Sequence, residues 1–176
     1  MISISQIITR VGSTGPVILL VIASYLLWNK PTLLFYYQVG FATSLILNLI
    51  LKGIIKQPRP SEHPKEFDLA LKNATRFIFK NGMPHDIFGM PSGHAQSAMF
   101  TTGFIFIALR NTKITILFFL MTLLIMYQRV KDYQHTVIQV IAGAFVGALY
   151  AYLFYYFAQQ KLKGIIKLKP DDNAPI

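Results

Sequence analysis

Apolar runs about as long as a bilayer is thick recur along this chain, and they limit its folds more than any other feature. A hydrocarbon core of ~30 Å is crossed by a helix of ~20 residues. In that solvent only segments that satisfy their backbone N–H and C=O groups internally can persist. Five such runs are present: about Gly15 to Trp28, Thr32 to Leu51, Ser92 to Arg110, Thr112 or Lys113 to about Arg129, and His135 to about Phe157. They predict an all-α, polytopic transmembrane helical bundle. Asn29-Lys30-Pro31 predicts a tight turn between the first two, because proline disfavours helix at the residue before it. Lys52 marks where the second run leaves the hydrocarbon. In the stretch Met1 to Thr14, helical spacing places Ile4, Ile7, Ile8 and Val11 on one face, with Arg10 the sole charge. This reads as a short interfacial helix or as an early start to the first span, and no cleavable signal peptide is expected.

Between the second and third spans lies a polar segment from Gly53 to Gly89. Pro64 at a first helical position and Asn81-Gly82 at a stop bracket a predicted amphipathic helix, with Phe67, Leu71, Ala74 and Phe77 on one face. Residues 1–160 then form one membrane domain and 161–176 a basic-then-acidic tail. The formal net charge is +10, but the Lys and Arg residues sit between apolar runs. That placement excludes a nucleic-acid partner and favours a phosphate, either of a lipid headgroup or of a substrate. Without cysteine there is neither a disulfide framework nor a thiolate metal site. Lysines and arginines at short loops and span ends favour a cytoplasmic tail and a motif-bearing side facing the lumen or exterior. Asn73-Ala74-Thr75 is a glycosylation acceptor pattern on that side, set inside the predicted helix.

Three short stretches stand at the span ends: Lys52-x6-Arg59-Pro60, Pro91-Ser92-Gly93-His94 and Arg129-x5-His135. Each alone has a plain reading, since basic side chains snorkel at span ends and a boundary histidine anchors at the interface. Jointly they say more. With five spans, the loops after the second and fourth lie on one side, so two histidines and three cations share one membrane surface. Phosphate oxygens repel nucleophiles, and catalysis on phosphorus is mostly positioning and charge neutralisation. Lys52, Arg59 and Arg129 supply positive charge, the arginines as planar forks. Ser92 and Gly93, just before a helix, offer backbone N–H groups and a hydroxyl to an anion.

Neutral imidazole attacks phosphorus. His135 lies one helical turn before Gln139, whose side-chain oxygen is placed to take the Nδ1–H and leave Nε2 free. Asp132 is the other candidate for that role. His94 then serves as general acid, and later as the base that activates water. His63 and His85 have no motif and read as surface histidines. The acids Glu62, Glu66, Asp68, Asp86, Asp132, Asp171 and Asp172 are scattered, so neither a Mg2+ or Ca2+ site nor any other cofactor is expected.

These residues resemble the type 2 phosphatidic acid phosphatase superfamily, whose pattern is K-x6-R-P, then P-S-G-H, then S-R-x5-H-x3-D. The resemblance covers Lys52 to Gln139. It implies a helical bundle, His135 as nucleophile, His94 as acid and base, and Lys52, Arg59, Ser92, Gly93 and Arg129 as phosphate binders. Two positions depart from the pattern: Gln128 stands for the serine and Gln139 for the aspartate. Gln57-Pro58-Arg59-Pro60, Gly89-Met90-Pro91-Ser92-x-His94-x-Gln96 and His135-Thr136-x-x-Gln139-Val140 are similar to the dolichyl diphosphatase-like branch, in which glutamine is usual there. That branch implies hydrolysis of dolichyl diphosphate to dolichyl phosphate at the lumenal face of the endoplasmic reticulum. Undecaprenyl diphosphate, phosphatidate and phosphatidylglycerol phosphate are the alternative substrates. A lipid-binding membrane protein without turnover is the non-enzyme alternative, resting on Gln139.

Overall fold

The computed structural model describes residues 3–80 and 82–164; the acidic end of the tail, with Asp171-Asp172, lies outside them. Helix α1 (Ile4–Leu26) starts with a reciprocal cap, in which the Ser3 hydroxyl accepts from the Gln6 amide and the Gln6 side chain from the Ser3 amide. It then continues unbroken through Pro16. The separate interfacial helix is thereby corrected to the early start of the first span. Helix α2 (Pro31–Ile55) follows a short turn, with Pro31 in the first turn where a missing N–H costs nothing. Its buried stripe is Leu33, Tyr37, Gly40, Ser44, Asn48 and Lys52, a helical spacing that changes from apolar to polar to cationic along the helix.

The polar segment contains α3 (Pro64–Lys72), β1 (Phe77–Lys80) and β2 (Met83–Asp86). The predicted longer helix is therefore corrected: it stops at Lys72, Ala74 turns left-handed at φ +51, and the chain pairs as an antiparallel hairpin with Ile78 opposite His85. The reason is local. Thr75 to Phe79 is rich in β-branched and aromatic residues, which alternate between exposed and half-buried, and Gly82 supplies φ +76 at the turn. Phe67 and Ile78 pack with Ile87 and Phe88, while Leu71 and Phe77 stay exposed.

Helices α4 (Gly93–Leu109), α5 (Thr112–Lys131) and α6 (Val137–Leu162) complete the bundle. Among the described residues four helices, α1, α2, α5 and α6, are long and apolar enough to cross a membrane. Their outer faces expose Val21, Phe35, Ile46, Ile138 and Phe145, as lipid-facing surfaces do. The chain is an integral membrane protein. The 17-residue α4 is the short central rod and packs against all four. Its contact with α6 is backbone to backbone. A Cβ on Gly143 would lie 2.4 Å from the Ser92 carbonyl oxygen, and one on Gly147 2.2 Å from that of Gln96. This is the small-xxx-small mode of close approach. Around Tyr37, Phe100 and Phe104 an aromatic cluster fills the far half of the core, and the Tyr37 hydroxyl meets Thr101 Oγ1 at 3.1 Å.

Candidate active site

The polar end of the α2 stripe leads into the site. Gln96 Nε2 donates to Ser44 Oγ at 2.9 Å and to its carbonyl at 2.8 Å. Asn48 Nδ2 donates to Gln96 Oε1 at 2.9 Å and to the Pro91 carbonyl at 3.3 Å. These bonds satisfy buried polar groups and tie α2 to the start of α4. One turn beyond Asn48, Lys52 is 4 % exposed and donates to the Phe88 carbonyl at 2.6 Å. Its Nζ also lies 3.5 Å from Asp86 Oδ2.

Arg59 reaches the same place from the loop after α2. Its Nε donates to the Asp86 main-chain carbonyl at 2.7 Å and its Nη1 to Gln134 Oε1 at 3.2 Å. Arg129, in the last turn of α5, donates through Nη2 to that same oxygen at 3.5 Å. Its Nε is buried without a hydrogen-bond partner among the described residues. Gln134 thus bridges the two arginines. Burial and then the neighbouring Asp86 and Glu62 carboxylates act in opposite senses on Arg59, and burial prevails, drawing its pKa down.

His135 follows α5 and is 2 % exposed. Its Nδ1 lies 2.9 Å from the Gly89 carbonyl oxygen and 3.2 Å from Gln139 Oε1. A carbonyl only accepts, so Nδ1 carries the proton and Nε2 keeps its lone pair. Burial, then Arg59, Arg129 and Lys52, hold the His135 pKa far below the ordinary histidine range, leaving the ring neutral. Gln139 is fully engaged. Its Oε1 accepts from the Thr136 amide at 3.2 Å, and its Nε2 donates to Gln57 Oε1 and to the Pro58 carbonyl, both at 2.9 Å. Asp132, the other candidate orienter, is turned away, since its Oδ2 accepts from Thr9 Oγ1 at 3.0 Å and Gln128 Nε2 at 2.7 Å.

The second motif caps α4. Ser92 Oγ accepts from the Ala95 amide at 3.5 Å. The Ser92 amide donates to the Gln139 carbonyl at 3.0 Å, so of the donors expected in the cradle this one N–H is spent on joining α4 to α6. Gly93 meets the Asn48 side chain, and a Cβ there would sit 3.0 Å from Asn48 Oδ1. His94, in the first turn of α4, donates through Nε2 to the Ser13 carbonyl of α1 at 3.1 Å. It lies within electrostatic reach of Arg129, Arg59 and Lys52.

The fold therefore gathers Lys52, Arg59, Arg129, His135 and Gln139 through shared partners, and brings Ser92 and Gly93 against them. His94 stands at the rim, held by α1. The surface reading of His85 is corrected: its Nε2 lies 2.9 Å from Glu62 Oε1, a buried carboxylate. His63 is exposed. Residues that the motifs do not announce complete the arrangement, namely Asp86, Gly89, Gln134 and Gln57. Of these, Gln57, beside Pro58-Arg59-Pro60, and Gly89, which opens the Gly89-Met90-Pro91-Ser92 stretch, carried a sequence signal.

A family model described as PAP2 superfamily matches residues 33–163, most of the chain and all three motifs. No curated protein and no solved structure matches it.

Proposed function

The chain belongs to the PAP2 superfamily, which makes it a membrane phosphatase of lipid phosphates, and from that premise we propose that it hydrolyses a polyprenyl diphosphate through a phosphohistidine at His135. Dolichyl diphosphate, yielding dolichyl phosphate at the lumenal face of the endoplasmic reticulum, is the substrate we favour. The observation that carries the chemistry is the state of His135: neutral, with Nδ1–H fixed by Gly89 and Gln139, beside two arginines bridged by Gln134. That leaves Nε2 as a preorganised nucleophile in a positive surround.

Lys52, Arg59 and Arg129 hold the terminal phosphoryl group, and the unpartnered Arg129 Nε–H is a donor ready for its oxygens. Nε2 of His135 attacks the terminal phosphorus, and the bond from that phosphorus to the bridging oxygen breaks. His94, released from Ser13, protonates the departing polyprenyl phosphate. In the second half, His94 takes a proton from water, the water oxygen attacks phosphorus, the P–N bond breaks and inorganic phosphate leaves.

Two features fit a long isoprenoid substrate. Gln57 and Gln139, both in the branch-like motifs, are hydrogen-bonded to each other. An apolar cavity of about 580 Å³ also lies between α1 and α2, lined by Leu20, Val21, Tyr25, Trp28 and Phe41. It begins some way along α2 from Lys52, a depth that an extended lipid tail entering laterally would reach.

The test is phosphate release by detergent-purified protein from dolichyl diphosphate, undecaprenyl diphosphate, phosphatidate and phosphatidylglycerol phosphate, in EDTA. Preference for dolichyl diphosphate is the expected result. Preference for another substrate keeps the phosphatase and replaces the lipid. Tight lipid binding with no release from any of them would leave a binding protein.

A further inference from the structure

The β1–β2 hairpin delivers a carboxylate to the cation cluster that none of the three motifs contains. Asp86 Oδ2 lies 3.5 Å from Lys52 Nζ, and its main-chain carbonyl accepts Arg59 Nε at 2.7 Å. One residue thus touches two of the three expected phosphate binders. Asp86 is itself held from behind. Arg76 donates Nε to Oδ1 at 3.2 Å and Nη2 to Oδ2 at 3.0 Å, and the Phe88 amide donates to Oδ1 at 3.1 Å. The Arg76 guanidinium lies over the Phe77 and Phe88 rings, 5.2 and 5.4 Å from their centroids, which fixes its plane. Burial opposes ionisation of Asp86, but the Arg76 hydrogen bonds, Lys52 and the Phe88 amide outweigh it and lower its pKa.

We infer that Asp86 is a positioning residue for phosphate recognition, holding Lys52 by its carboxylate and Arg59 by its carbonyl, with Arg76 setting how strongly that carboxylate competes with the phosphate. This rests on the phosphate-site reading above. A lysine as buried as Lys52 needs acceptors and a counter-charge when the site is empty. A carboxylate in full contact would then repel the incoming phosphate and keep the lysine for itself. The geometry resolves the conflict. Arg76 takes the closer, two-pronged contact with Asp86, and Lys52 is left at 3.5 Å, near enough to be aligned and loose enough to transfer to a phosphate oxygen. Phe88 joins both sides of the exchange, since its carbonyl accepts from Lys52 and its amide donates to Asp86.

A simple staple between hairpin and α2 makes a different forecast from this one, and phosphate binding tells them apart. Binding of inorganic phosphate and orthovanadate to full-length protein in detergent is measured calorimetrically, beside phosphate release from a polyprenyl diphosphate and the melting temperature. Asp86→Asn removes the competing charge, so phosphate should bind about three- to tenfold more tightly, while kcat falls at least about tenfold because Lys52 is no longer aligned. Arg76→Gln leaves Asp86 to Lys52 alone, so phosphate should bind weaker by a similar factor, and Arg76→Lys should recover part of it. A staple would weaken phosphate binding in both variants along with the melting temperature, and that result overturns the inference. If Asp86→Asn does not fold, the Arg76 pair decides: unchanged phosphate affinity in Arg76→Gln, or weaker binding that falls together with the melting temperature, overturns it, and weaker binding at an unchanged melting temperature, partly restored by lysine, supports it. Wild-type protein that neither binds phosphate nor releases it would instead remove the phosphate-site reading, a failure visible before any variant is made.

Discussion

Gln139 is the side chain at which this chain departs most visibly from the pattern it resembles, and its surroundings explain why glutamine suits the place. Its amide nitrogen faces two acceptors, Gln57 Oε1 and the Pro58 carbonyl, while its oxygen faces two donors, the Thr136 amide and His135 Nδ1–H. A carboxylate would keep the second pair and lose the first, leaving acceptors face to face at a part-buried contact. Gln139→Asp is therefore expected to lower kcat by at least about tenfold and to destabilise the fold by roughly 1–3 kcal/mol, as read by phosphate release and thermal melts. The orientation of His135 is shared with the Gly89 carbonyl, a contact with no signature in sequence because any residue has a carbonyl. The same holds for the Asp86 and Phe88 carbonyls that receive Arg59 and Lys52. The three motifs were legible because their chemistry resides in side chains at fixed spacings. The partners that align them were not, because these are backbone atoms or lie on a hairpin. The neutrality of His135 has a consequence for stability. Unfolded, it binds a proton near the ordinary value of ~6.5; folded, its pKa is depressed. Its contribution is thus complete above that ordinary value and is lost as pH falls below it. Melting temperatures of wild type and His135→Gln should diverge between about pH 7 and 5, with the wild type losing more.

Among the elements, the helices were readable from their length and apolarity, but their faces were not. A membrane helix is apolar all round, so hydrophobic periodicity does not tell lipid from core. The α4–α6 contact shows what replaces it: Gly143 and Gly147, four apart, with Ala144 and Ala151 buried beside them. This spacing stands in the sequence and marks the helix pair that joins Ser92 to Gln139. Gly147→Val would drive its side chain into the Gln96 and Phe100 backbone. The expected cost is about 1–3 kcal/mol or more, with a loss of activity that a same-size change on the lipid face, such as Phe145→Leu, does not produce. The polar segment misled the helix prediction for the opposite reason. A residue set spaced like a helix face, Phe67 to Phe77, overlapped a strand-like alternation, and the tertiary contacts of Ile78 and Arg76 favoured the hairpin.

For the molecule as a whole, the order of the four long helices and the shorter α4 puts Lys52, Arg59, Arg129, His135 and the start of α4 at one end, and the 27–30 and 110–111 turns at the other. The start of α1 belongs to the site end, since Thr9 bonds Asp132 and Ser13 bonds His94. The chain has no cysteine, so single cysteines report topology cleanly. Lys65→Cys and Lys113→Cys should react with a membrane-impermeant maleimide from opposite faces of sealed vesicles, and labelling of both from one face would break the arrangement. Catalysis itself is tested by trapping the covalent intermediate. Protein is mixed with polyprenyl diphosphate labelled in its terminal phosphate, quenched within milliseconds in alkali, digested, and the phosphopeptides sequenced. An alkali-stable, acid-labile phosphate on the peptide containing His135, absent in His135→Ala, is the expected result. Turnover in wild type with no phosphate on that peptide, or persisting undiminished in His135→Ala, would contradict it.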